Sequence, residues 1–214
     1  MEKLQLMSIG SNCANIGFLG KDRIRGPIDN VIATKGIMSS KLLFENNLYE
    51  AIKNAKPKIT KNLTKTFPGD SDYKYEYNDF MFVHNNPTEE KFLKEFKRRI
   101  DTFNEFYKNI DKDDHYFVYS LGTNDVNKST REVYDAFIFG LCYLGILNIL
   151  DKTIIVGTRN ENVKNYWDFY SKDIEKICND KKIKYIEVVD NNVYHPDIPE
   201  KQFYSKLYDL LQNC

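Results

Sequence analysis

The stretch LMSIGSNCANIGFLG, residues 6–20, decides the fold. An apolar run ends in Gly10-Ser11-Asn12-Cys13, and a helix-like segment follows. A strand that passes through a glycine turn into a helix is the opening unit of an α/β sheet. Further runs repeat the theme. HYFVYSLG (115–122), TIIVGT (153–158) and IKYIEVVD (183–190) are apolar nearly throughout, as strands buried on both faces are. DFMFVHN (79–85) reads as a shorter strand ending at His84.

Helical patterns fill the gaps. Residues 88–110 place Phe92, Phe96, Ile100, Phe103 and Phe106 near a 3.6-residue spacing, with Thr88 as the expected cap. Residues 129–150, 162–181 and 199–213 predict three more helices, and Pro199 suits the first turn of the last. The alternation predicts a single α/β domain over residues 1–214, with a mainly parallel sheet flanked by helices. The Lys-rich segment 50–78 breaks the pattern and predicts an inserted excursion or lid with short strands.

Composition narrows the function. The 214 residues carry 31 basic and 31 acidic side chains, so no electrostatic footprint for nucleic acid exists. No apolar run reaches the ~20 residues of a membrane span. The N-terminal apolar run is too short for a signal peptide, which predicts a cytoplasmic protein with reduced thiols. The four cysteines, Cys13, Cys142, Cys178 and Cys214, lie far apart and follow no zinc or disulfide spacing. No metal and no organic cofactor is expected, since no phosphate-binding glycine pattern follows a strand.

Functional groups in such sheets gather beyond the carboxyl ends of strands. Cys13 falls there. Gly10 permits a tight turn. The N–H groups of a following helix favour a thiolate and can bind an oxyanion, with the Asn12 side chain beside them. A cysteine with a histidine alongside suffices for acyl transfer through a thioester. The competing reading is a packed, inert thiol behind the first strand.

SIGSNCANIGFLGKDRIRGPIDNV resembles the opening of a bacterial and viral family of unknown function, described as papain-like cysteine peptidases. That family shows a strand, a Gly-x-Asn-Cys turn, a Gly-Pro-Phe-Asp-Trp element, then a His after a short strand and paired arginines. Here the element reads Gly26-Pro27-Ile28-Asp29-Asn30, so Ile28 and Asn30 replace the aromatic pair. FMFVHNN and FKRRIDTF supply His84 and Arg98-Arg99 over a resemblance spanning roughly residues 5–120. It implies Cys13 as nucleophile, His84 as base and Asp29 as the group orienting the imidazole, with Asp79 and Asn85 as competitors. Gly10, Ser11 and Asn12 would line the oxyanion pocket, and the substrate would be a peptide or amide.

A second, weaker resemblance is to the SGNH esterases and acyltransferases. YSLGTNDV (119–126) ends a strand in Gly-x-Asn-Asp, and DNNVYHPD (190–197) sets His195 before the last helix. Carried over, Gly122 and Asn124 would serve the oxyanion and His195 would be the base, for O-acyl ester substrates. Cys13 then stands where a serine is usual, and the spacing from Asp190 is longer than Asp-x-x-His. A binding module without turnover is the alternative to both.

Other signals read as structural. Arg98-Arg99 fits the solvated face of a helix, NIDKDDH (109–115) a turn, and Trp167 with its aromatic neighbours a core cluster. Arg159 ends a strand at the same sheet edge as Cys13. His115 reads as a surface residue without a role.

Overall fold

The computed structural model describes residues 4–9, 19, 24–27, 31–33, 48–63, 71–77, 80–82, 85–120, 137–138, 141–142, 144–145, 148–159, 167–189 and 197–212. Five strands form a parallel sheet: β1 (Gln5–Ser8), β2 (Ile24–Arg25), β7 (His115–Ser120), β8 (Thr153–Arg159) and β9 (Lys184–Val189). Their order is β2-β1-β7-β8-β9. In chain order that is second, first, third, fourth, fifth, so the winding reverses between β1 and β7.

Period-two alternation builds two cores. Leu6, Val118, Ile154, Val156, Ile186 and Val188 face one side, against Leu19 and helix α4 (Asp197–Gln212) through Phe203 and Leu207. Met7, Ile9, Phe117 and Ile155 face the other. There they meet α1 (Leu48–Asn54), α2 (Glu90–Lys108) and α3 (Trp167–Asp180). Phe96, Ile100, Phe103 and Phe106 all turn inward from α2, as their spacing predicts.

Strands β3 (Val31–Ala33), β4 (Lys58–Lys61), β5 (Tyr73–Glu76) and β6 (Phe80–Phe82) make a small antiparallel sheet in the order β3-β6-β5-β4. Two of them, β4 and β5, are the short strands expected of the 50–78 excursion. Phe82 lies edge-on to Tyr77, Phe92 and Phe96, with ring centroids 5.8, 5.3 and 6.3 Å away. This cluster fuses the small sheet with the α2 core, so the two sheets belong to one domain.

Three local expectations change. Helix α2 starts at Glu90, and Thr88 does not cap it; the Thr88 hydroxyl and backbone N–H both donate to Asn86 Oδ1, at 2.7 and 3.1 Å. The helix expected over 129–150 stops short. Asn148 has φ 55°, and the Ile149 N–H donates to the Leu144 carbonyl at 3.1 Å, so a left-handed cap closes it before a 3-10 turn at Leu150–Lys152. Lys182, also at φ 55°, closes α3 the same way, with Ile183 N–H bonded to Cys178 O at 2.8 Å. His115 is not a free surface residue. Its side chain is 14% exposed, its Nδ1 lies 2.7 Å from Asp114 Oδ1, and its ring tilts against Phe106 at 4.9 Å.

Candidate functional site

The carboxyl edge of the parallel sheet is the natural site, at the switch point between β1 and β7. Strand β1 ends there in Ser8, fully buried, and the Ile9 N–H donates to Val118 O at 3.0 Å. On its other flank β1 pairs with β2 through Ser8 and Arg25. Gly26 follows at once, so close that a Cβ on it would stand 2.0 Å from the Ser8 carbonyl oxygen. Only glycine fits. The Gly26-Pro27 turn therefore leaves the sheet directly beside the exit of β1.

The small sheet adds a second fixed point. β3 and β6 run antiparallel, with Val31 opposite Phe82, Ile32 opposite Met81 and Ala33 opposite Phe80. A third lies at β9. Gln202 of α4 accepts a hydrogen bond from the Val189 N–H at 2.9 Å, and Lys206 Nζ donates to Glu187 O at 2.7 Å. The Tyr204 hydroxyl donates to Leu19 O at 3.1 Å, so α4 is stapled to the segment that follows Cys13.

The predicted site residues Gly10, Ser11, Asn12, Cys13, Asp29, His84, Asn124 and His195 lie outside the described residues, as do Gly122 and Asp79. The chain ties each to a described anchor. Cys13 comes five residues after Ser8, and Asp29 three after Gly26 and two before Val31. His84 comes two after Phe82, Asn124 four after Ser120, and His195 two before Asp197. Asn85 is described and half-buried. The backbone of Arg159 ends β8 at the same carboxyl edge.

The paired arginines are committed elsewhere. Arg98 and Arg99 both grip Glu95, at 2.8 and 3.0 Å, on the helix α2 surface. The hydrogen bond from Arg98, and then that from Arg99, pull the Glu95 carboxyl down to about 2. Cys178 is buried, and desolvation followed by the nearby Glu175 pushes its thiol up to about 12, which makes it inert. Cys142 is exposed. Among the described residues no group of three His, Cys, Asp or Glu side chains could hold a metal ion, and no helix is long and apolar enough to cross a membrane.

Sequence reading missed the Gly26 contact. The available signal was Gly-Pro placed directly after a two-residue apolar-basic run, where a chain must turn sharply. Comparison with protein-family models, with curated proteins and with solved structures finds no match.

Proposed function

We propose that the protein is a cysteine-nucleophile hydrolase of the papain-like type, acting on peptide or amide bonds. Cys13 Sγ attacks the carbonyl carbon, and its proton passes to His84. That attack forms the S–C bond and a tetrahedral oxyanion; as the oxyanion collapses to the thioester the C–N bond breaks, and His84 gives the proton to the leaving amine. Water then hydrolyses the thioester, releasing the acid and restoring the thiol. Asp29 orients the imidazole, while Gly10, Ser11 and Asn12 supply the oxyanion donors. A reducing, cytoplasmic setting suits this chemistry because the thiol must stay free.

The β3–β6 register supports the pairing. In an antiparallel ladder, residues at equal offsets on opposite sides of a pair face each other, and an offset of two keeps them on one face. Asp29 precedes Val31 by two, and His84 follows its partner Phe82 by two. That is the relation an orienting carboxylate and its imidazole need. The contact of Gly26 with Ser8 supports bringing the same segment to the exit of β1.

A second reading has its own support. The strand order makes the Asn124 segment leave β7, next to β1, and α4 is tied both to β9 and to Leu19. Asn124 and His195 would then serve Cys13 in an SGNH-like esterase or acyltransferase. The test is intact-mass spectrometry after brief exposure to activated amide and ester donors. A thioester on Cys13 with amides, lost in His84→Ala, supports the first reading. A thioester with esters alone, lost in His195→Ala, supports the second. No adduct with either class refutes both and leaves a binding module.

A further inference from the structure

We propose that the free edge of β4 is a docking strand for an extended, acidic segment of a partner protein. Among the described residues β4 is the outer strand of the small sheet, and all four of its residues are exposed. An outer strand offers unpaired backbone donors and acceptors to an added strand. It is also held in shape. Asn62, just past β4, is buried; its Nδ2 donates to Ser71 O at 3.1 Å, and its N–H donates to Asp72 O at 2.8 Å. The edge is thus preorganised, which lowers the ordering cost of binding.

The side chains choose the occupant. Ile59, Leu63 and Tyr73 are 55%, 81% and 50% exposed. Ile59 pairs with the buried Tyr75, so the face that packs inward at Tyr75 runs on into an uncovered apolar strip at β4. Along the β4 segment itself the charge is of one sign. From Ala51 to Gly69 the chain carries five lysines and no carboxylate. Lys56, Lys58 and Lys61 are exposed, and Lys58 lies 3.9 Å from Glu76. A second copy pairing edge to edge would set these lysines against one another, which is unfavourable. A strand that alternates acidic and β-branched residues sets its carboxylates on the face of Lys58 and its apolar side chains on the face of Ile59 and Leu63, where Lys61 adds a flanking positive charge.

The test titrates the intact protein into an eight-residue peptide of alternating Glu and Val, labelled with an uncharged dye, and reads fluorescence anisotropy. The expected result is saturable binding that weakens as salt rises. Lys58→Gln/Lys61→Gln should weaken it at least tenfold while moving the melting temperature by no more than a few degrees, since both residues are exposed and Lys58 pairs with Glu76 only at 3.9 Å. A copy of the peptide N-methylated at alternate residues should fail to bind the wild type. Lack of saturation at millimolar peptide overturns the proposal. So does equal binding by the N-methylated peptide or by the double variant. Concentration-dependent dimers in light scattering, competing with the peptide, would assign the edge to a second copy instead.

Discussion

Replacing Gly26 by alanine should cost stability through one identifiable contact. The added Cβ would meet the Ser8 carbonyl oxygen at 2.0 Å and its carbon at 3.2 Å, where real Cβ atoms stay beyond 3.0 Å. The two segments must part by about an ångström, and the partner is backbone, which cannot swing aside. β2 is only two residues long, and the Ser8–Arg25 pair is half of its register with β1. Overpacking of this kind costs about 1–3 kcal/mol, and a lost ladder bond about 0.5–1.5 more. The stiffer unfolded chain of alanine returns about 0.4–1 kcal/mol. The net, about 0.5–4 kcal/mol, lowers Tm by roughly 1–16 °C for a domain of this size. Gly145 supplies the control: it is helical, and a Cβ there meets nothing within 4 Å. Gly145→Ala should raise stability by up to about 1 kcal/mol. Thermal melts of the two variants side by side decide the matter. A Gly26→Ala protein as stable as the wild type would refute the reasoning.

Three further outcomes follow from the packing and the charges. Phe82→Ala should cost about 3–5 kcal/mol in a denaturant titration, because it empties the cluster with Tyr77, Phe92 and Phe96 that binds the small sheet to α2. Lys182→Gly should raise Tm by roughly 2–4 °C, since a residue at φ 55° is relieved of about 1 kcal/mol or more of left-handed strain. Glu95→Gln should be less stable than the wild type by under about 1 kcal/mol at neutral pH, as Glu95 is 39% exposed and its pairs are screened. The Glu95 carboxyl is depressed from 4.5 to about 2, so its contribution is present above pH 4.5 and is lost as pH falls through 2. The difference between the two proteins should close across that window in pH-dependent melts.

The parallel sheet was legible because its strands are apolar on both faces and its helices are amphipathic. The apolar run before Gly10 becomes β1, and HYFVYSLG, TIIVGT and IKYIEVVD become β7, β8 and β9 with ends shifted by two residues or fewer. Strand order was not legible, since no local pattern says that β2 pairs on the far side of β1. The helix end before 148 escaped because asparagine, not glycine, occupies the left-handed cap, whereas α3 ends at Asp180, within one residue of the expected 181. His115 was misread because its neighbours in sequence, Asp113 and Asp114, signal a surface turn, whereas the Phe106 ring that covers it comes from α2. For the candidate site, sequence supplied the residue types and the fold supplied what their anchors share: the exit of β1, the Gly26 turn and the Val31–Phe82 pair.

The most direct test is the pH dependence of alkylation at each cysteine, read by peptide mass spectrometry in the wild type, His84→Ala and His195→Ala. Cys178, with its thiol pushed up to about 12 by burial, should stay silent throughout and serve as the buried reference. Wild-type Cys13 should react with an apparent pKa well below the ~8.5 of a free thiol, and only His84→Ala should raise it. A rise confined to His195→Ala would move the site to the SGNH-like pairing. An ordinary or unreactive Cys13 in all three proteins would contradict the claim that it is a nucleophile.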